Sequence, residues 1–439
     1  MRVESEKLTT VAEDVSVSAR RRIAWRLLPF LFFIYMLSFV DRVNIGFAGL
    51  SMTGELHFSN EVFGFGAGVL FVGLCLLEIP GAILAERWSA RKWIALIMIV
   101  WGLLAAVTGL IRTATEFNII RFLLGLAEGG FFPAVIVYLT HWFRQGDRAK
   151  ATALFMAAIP VSNAFGGLVA SGLLKLHWLG MSGWRWLLIL EGLPAVLGGI
   201  ATLFYLTDWP REATWLRVDE RAWISSELAR ENQAKEAVGN AGSTFKTFAN
   251  PLVVGMFFAY FFINTTSYGL TIWLPKIVQR LAGLTVAEVA LVASIPYLCA
   301  IPAMIFTGWY ADRTGRHKLC AVVVTVTAGA GFGLSQMPGI SPAIVLVGFS
   351  IAAMGTLSFF PCFWPLPSKL LPPSVVPAVC GLLTLGNIGG FVGPYAMGFV
   401  TDLTGSQVGG VLGLVVSATM AGVCVGLLPR AGVRSASAP

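Results

Sequence analysis

Charged side chains are scarce in this chain. Only 12% of its 439 residues are Asp, Glu, Lys or Arg, whereas 56% are hydrophobic. A soluble protein of this length, long enough for about three domains, carries roughly twice that share of charge. Histidine is rarer still, at four residues, and none has metal-ligand spacing. The six cysteines (Cys75, Cys299, Cys320, Cys362, Cys380 and Cys424) are scattered and include no C-x-x-C pair. That pattern supports neither a metal site nor a disulfide framework. Gly329-x-Gly331-x-Gly333 and Gly386-x-x-Gly389 superficially resemble nucleotide loops. No strand precedes them and no Gly-Lys-Ser/Thr follows, so close helix packing explains them better. With no nucleophile–base or metal cluster either, the expectation is a chain that is not an enzyme and holds no cofactor.

What the chain has is long apolar blocks, with a mean hydropathy of +0.77. Each block is about twenty residues, the length that crosses a bilayer core as a helix. Backbone groups in lipid must be satisfied within the segment, which demands helices or a closed barrel. The alternating short strands of a barrel are missing. Twelve spans are expected, at residues 26–48, 62–85, 93–112, 117–142, 151–174, 185–206, 251–274, 286–310, 319–337, 342–368, 376–401 and 408–428. The basic N-terminus (Arg20, Arg21, Arg22, Arg26) followed by an apolar block resembles a secretion signal. That block runs into Asp41-Arg42 without a small-residue cleavage site, so it reads as a retained first span.

The expected organisation is an N-terminal tail (1–25), a six-helix half (26–206), a polar central loop (207–250), a second six-helix half (251–428) and a C-terminal tail (429–439). Basic residues give an orientation. With both termini on one side, the segments on that side hold 24 of the 31 Lys and Arg, and those on the other side hold five. The bias predicts a multi-pass protein of an inner (plasma) membrane with cytoplasmic termini. It also accounts for the net charge of +8 without nucleic acid.

The halves echo each other. Gly308-Trp-Tyr-Ala-Asp312-Arg313-Thr-Gly315-Arg316-His-Lys318 matches Ala82-Ile-Leu-Ala-Glu86-Arg87-Trp-Ser89-Ala-Arg91-Lys92, offset by 226 residues. Asn387-Ile-Gly389-Gly390 echoes Asn163-Ala-Phe-Gly166-Gly167, offset by 224. Two near-equal offsets argue for a duplicated six-span unit.

Several motifs add to this acidic–basic loop. They are Asp41-Arg42-Val-Asn44, Glu78-Ile-Pro80, Arg121-Phe-Leu-Leu-Gly125-Leu-Ala-Glu128-Gly129, Gly183-Trp-Arg-Trp-Leu-Leu-Ile-Leu-Glu191-Gly192, Asp208-Trp-Pro210 with Trp215-Leu216, Phe363-Trp364, and Gly389-Gly390-Phe-Val-Gly393-Pro394. Together they resemble the major facilitator superfamily over essentially the whole chain. Within it they resemble the anion:cation symporter family of tartrate, phthalate, hydroxyphenylacetate and sugar-acid permeases. Ser89 stands where the loop usually has glycine, and Leu74 where relatives often carry tyrosine. The resemblance implies an all-α membrane fold of two six-helix halves.

Charge inside an apolar span costs roughly 3 kcal/mol per residue on insertion scales, so such residues face a cavity or a partner. Asp41 then reads as a proton site and Arg42 as an anion ligand, or else both only pair with neighbouring helices. Arg121 and Glu128 lie seven apart, two helical turns, and so share a face. They form either a coupling device or a structural pair. The resemblance implies that Asp41 and Glu128 exchange protons while Arg42 and Arg121 engage carboxylates. Asn387, Trp364 and Asn163 are further cavity candidates, with helix–helix bonding and interface anchoring as alternatives. The cluster Asn264-Thr265-Thr266-Ser267-Tyr268 is balanced in the same way. Glu86, Arg87, Asp312, Arg313 and Arg316 fit a conformational latch that pairs across the halves in one state. Their alternative is a solvated orienting loop. Glu191 reads as structural. The expected function is proton-coupled uptake of a small organic carboxylate by a monomer in the lipid bilayer. The rivals are an exporter and a sodium-driven anion carrier of the same fold.

Overall fold

The computed structural model describes residues 2–238, 250–372 and 375–429. Of the expected central loop, 239–249 lie outside the described residues, as does the expected tail from 430 onward. Among the described residues, twelve helices are long and apolar enough to cross a membrane. Spans 1–6 are Asp14–Glu55, Asn60–Arg87, Ala90–Thr108, Ala114–Trp142, Gln145–Leu173 and Gly183–Tyr205. Spans 7–12 are Pro251–Arg280, Val286–Thr314, His317–Ser335, Pro342–Phe363, Ala378–Thr404 and Gln407–Leu427.

Ends follow local chemistry. Thr113 with Glu116, and Thr285 with Glu288, form capping boxes at the starts of spans 4 and 8. Gly315 and Gly405 close spans 8 and 11 with φ of 68° and 69°, a conformation that costs glycine little.

Two features depart from the expected spans. The first helix runs from Arg2 to Glu55 rather than over 26–48. Its early turns are tied down by neighbours: Ser18 donates to Glu220 at 2.7 Å, Arg22 pairs with Glu220 at 3.2 Å, and Arg20 pairs with Asp147. The central segment also contains a helix, Val218–Val238. Glu227 and Glu231 on it meet Arg144 and Arg148 at 3.6 Å each. Partly exposed pairs of this kind contribute at most about 1 kcal/mol each. Their number fixes the helix against the ends of spans 4 and 5.

Spans pack through small residues, since lipid supplies no hydrophobic drive between helices. A Cβ on Gly125 would lie 1.9 Å from the Leu70 carbonyl oxygen, which presses spans 2 and 4 together. Spans 9 and 10 meet at Gly331, where a Cβ would lie 2.4 Å from the Ala352 nitrogen. Gly333 faces open space and a Cβ on Gly329 would meet Thr419 of span 12 only at 3.8 Å, so the close approach in this glycine run is made by Gly331.

The two halves are bonded to each other toward the end away from Arg2. Asp402 of span 11 accepts hydrogen bonds from the Asn60 backbone N–H at 3.3 Å, Asn60 Nδ2 at 2.7 Å and the Glu61 N–H at 2.7 Å. It thereby caps the first turn of span 2 across a separation of 342 residues. The Tyr395 hydroxyl donates to Glu61 Oε1 at 3.2 Å beside it. Deeper, Cys75 Sγ approaches the Leu385 carbonyl at 3.7 Å. From Arg87 to the opposite end, no ion pair joins the halves among the described residues.

Candidate functional site

The first half places charged residues in its interior. Asp41 is 4% exposed, Arg121 2% and Glu128 1%. Span 1 brings Ser38 and Arg42, one turn apart, onto one carboxylate. Arg42 Nε donates to Glu128 Oε1 at 2.8 Å, and Ser38 Oγ donates to the same oxygen. Arg42 Nη1 also reaches the Tyr268 hydroxyl of span 7 at 3.3 Å, and its guanidinium lies 4.7 Å from the centre of the Phe39 ring. One arginine therefore joins the carboxylate of one half to the hydroxyl of the other.

Arg121 does not bond to Glu128 despite the two-turn spacing. Its Nη2 donates to the Ala67 carbonyl at 3.4 Å, and its Nε has no partner. The structural pair Arg121–Glu128 does not form; Glu128 pairs with Arg42 of span 1 instead. Asp41 turns away from Arg42 along span 1 and leaves Oδ2 buried without a partner. Arg121 remains in electrostatic range of both Asp41 and Glu128. Glu191 leaves both carboxyl oxygens buried and unpartnered, within range of Asp41.

The second half contributes a neutral polar group of residues. Span 11 is wound as a 3-10 turn at Leu385–Ile388, which presents Asn387. Asn387 Oδ1 accepts from the Tyr260 hydroxyl at 3.4 Å. Trp364 meets the Tyr260 ring edge-on at 5.2 Å and keeps an unpartnered indole N–H. Within the span-7 cluster, Tyr268 faces Arg42. Asn264, Thr265 and Thr266 bond the carbonyls of Tyr260, Phe261 and Phe262 in their own helix. Asn163 does the same with Ile159.

The acidic–basic loops lie apart from this interior. Glu86 meets His141 at 3.3 Å, and Asp312 meets His317 at 2.9 Å, each within its own half. Arg313 stands over the Trp309 ring at 5.4 Å, and the Arg316 N–H donates to Thr314 Oγ1 at 3.4 Å. Arg87 has no ion pair among the described residues. Among the described residues, the five therefore form no bond across the halves in this conformation.

Sequence reasoning missed Ser38, Tyr260 and Asp402. Ser38 sits one turn before Arg42, a spacing that signals a shared partner. Tyr260 sits one turn before Asn264 and could have been found by extending the polar stripe of span 7. Asp402 gives no such signal, since an acid at the end of an apolar block resembles a solvated helix terminus.

The arrangement can exchange one interaction for another. Arg42 meets Glu128 through Nε, and a guanidinium has further N–H donors in a fork that suits another carboxylate.

The chain shares its pattern with known transporters. The family model described as Major Facilitator Superfamily matches residues 31–394. A putative tartrate transporter of Agrobacterium vitis is 37% identical over 402 residues, covering 91% of this chain and 89% of the relative. The putative metabolite transport protein NicT of Pseudomonas putida is 34% identical, covering 91% and 92%. A bacterial homologue of the human lysosomal transporter Spinster, solved in an inward-facing and occupied conformation, superposes with a TM-score of 0.70 at 18% identity. It covers 92% of this chain and 94% of its own. At that identity the likeness speaks for the fold alone.

Proposed function

Because the chain belongs to the major facilitator superfamily, in its anion:cation symporter branch, we propose that it is a proton-coupled symporter that imports a small organic carboxylate. The observation that carries this reading is the Arg42–Glu128 bond at 2.8 Å inside an apolar bundle. A proton arriving at Glu128 frees Arg42, and the substrate carboxylate takes its place. Asp41 is the second proton site, with Arg121 between the two acids. Asn387 and Trp364 line the opposite wall. The six-helix halves rock about this midplane site, so the substrate meets it from one side at a time. A ligand drives that motion only through its different affinity for the two states.

Purified protein in vesicles, given imposed pH or sodium gradients and a panel of organic acids, tests the reading. Accumulation of an acid on the alkaline side is expected. Accumulation that follows sodium and ignores pH would sink proton coupling, and accumulation on the acidic side would make the protein an exporter.

We further place both termini and the 207–250 segment in the cytoplasm, with the chain in the inner membrane as a monomer. The skew of Lys and Arg supports this orientation. A cysteine introduced into 207–238 is expected to react with a membrane-impermeant thiol reagent only after cells are permeabilised. Reaction in intact cells would reverse the orientation. Glu86, Arg87, Asp312, Arg313 and Arg316 act as the latch of the alternate state. A thiol placed beside Arg313 is expected to lose reactivity when that end closes, and unchanged reactivity throughout transport would reject the latch.

A further inference from the structure

Span 2 carries a buried carboxylate that the mechanism above does not use. Glu78 is 4% exposed, and its Oε2 has no hydrogen-bond partner. It ends a stripe, Phe71–Cys75–Glu78, spaced so that all three share one helix face. That face looks across the boundary between the halves. Phe71 packs on the Tyr268 ring with 4.2 Å between centroids, and Cys75 approaches the Leu385 carbonyl at 3.7 Å. Thr384 flanks Glu78 at the start of the 3-10 turn. The Thr384 hydroxyl donates to the Gly381 carbonyl at 2.7 Å, and Glu78 Oε2 is left without a partner. Next to it, Tyr260 spends its proton on Asn387 Oδ1, which leaves the Asn387 amide N–H group to donate elsewhere. Arg42 stands within electrostatic range of Glu78, but its short bonds go to Glu128 and Tyr268.

The interior therefore has two poles of different chemistry. At one, a guanidinium fork suits a carboxylate. At the other, Glu78 offers carboxyl oxygens that accept hydrogen bonds, and Asn387 offers a donor. A carboxyl acceptor with no cation bonded to it calls for a neutral donor, and the donor of that kind on a small acid is an alcohol. Building on the carboxylate reading of the site, we propose that Glu78 is a specificity-determining residue that accepts hydrogen bonds from hydroxyl groups of the substrate. The substrate class is then a hydroxylated carboxylate, with its acid at Arg42 and its hydroxyls toward Glu78 and Asn387. A site built to bond a hydroxyl rejects the analogue without it, because its own polar groups are left buried and unpaired.

Competition binding to the purified full-length protein tests this with matched acids that differ only in hydroxyls, such as tartrate with succinate and mandelate with phenylacetate. Wild type is expected to prefer the hydroxylated member of at least one pair by about 10-fold or more, the scale set by an unpaired buried acceptor. Glu78→Met removes the acceptors at similar volume and is expected to reduce that preference below about 2-fold. Its affinity for the deoxy acid should be retained, which shows that the site is still folded. Glu78→Gln keeps one neutral acceptor and is expected to fall between the two. Equal affinities in wild type, or full preference in both variants, would overturn the role of Glu78. If wild type binds no member of either pair, the carboxylate reading itself falls, and the assignment of Glu78 falls with it.

Discussion

Glu128→Gln is expected to abolish pH-driven accumulation while leaving substrate exchange between two loaded compartments partly intact. Gln has the shape of the protonated acid and can still accept from Ser38 and Arg42. It carries no charge to hold the guanidinium, and it cannot give up a proton. Arg42 is then permanently available to the substrate, so binding persists, but nothing links binding to the proton gradient. The expected fall in gradient-driven uptake is to background, because the coupling step is removed rather than weakened. Exchange of labelled for unlabelled substrate needs no net proton movement and should continue. Normal pH-driven uptake by the variant would reject Glu128 as an essential carrier and return the Arg42–Glu128 bond to a packing role. Loss of both activities in a well-folded variant would instead make the charge of Glu128 part of substrate binding.

Arg42→Lys is expected to weaken carboxylate binding by roughly 10- to 100-fold, the range for a lost hydrogen bond to a charged group at about 1.5–3 kcal/mol. Arg42 holds Glu128 through Nε and Tyr268 through Nη1, which uses two separate arms of one planar group. A lysine ammonium is a single point and cannot occupy both positions. Arg121→Lys is expected to leave affinity within a few-fold of wild type and to change the pH dependence of transport, since Arg121 contacts the Ala67 carbonyl and is in electrostatic range of both acids. Binding and proton-flux measurements on the purified variants separate the two roles. Wild-type affinity and coupling in both would mean that the arginines serve packing alone, and attention would move to Tyr260 and Asn387.

The fold was largely readable because its strongest determinant is local. A helix in lipid satisfies its own backbone, so an apolar block of the right length announces itself. The elements that were not readable are held by distant partners. The early turns of the first helix depend on Asp147 and Glu220, and Val218–Val238 depends on Arg144 and Arg148. The interior charges were readable as residues but not in their pairing. Asp41, Arg42, Arg121 and Glu128 were found from charge at membrane depth. Which arginine meets Glu128 depends on the distance between spans 1 and 4, which no spacing within one helix encodes. The glycines that set such distances, Gly125 against Leu70 among them, show themselves only once both helices are in place.

Asp41, Glu128 and the two arginines also set the electrical character of transport on the proposed mechanism. Guanidinium keeps its charge throughout the cycle, so the acids are the groups that gain and lose it. A cycle that loads both acids carries two positive charges along with the substrate. A monocarboxylate then crosses with a net charge of about +1, and a dicarboxylate crosses with none. A membrane potential of roughly 100 mV is worth about 2.3 kcal/mol per charge, or about 50-fold in accumulation ratio. The same two side chains would make uptake of a monoanion respond strongly to voltage and leave uptake of a dianion indifferent to it.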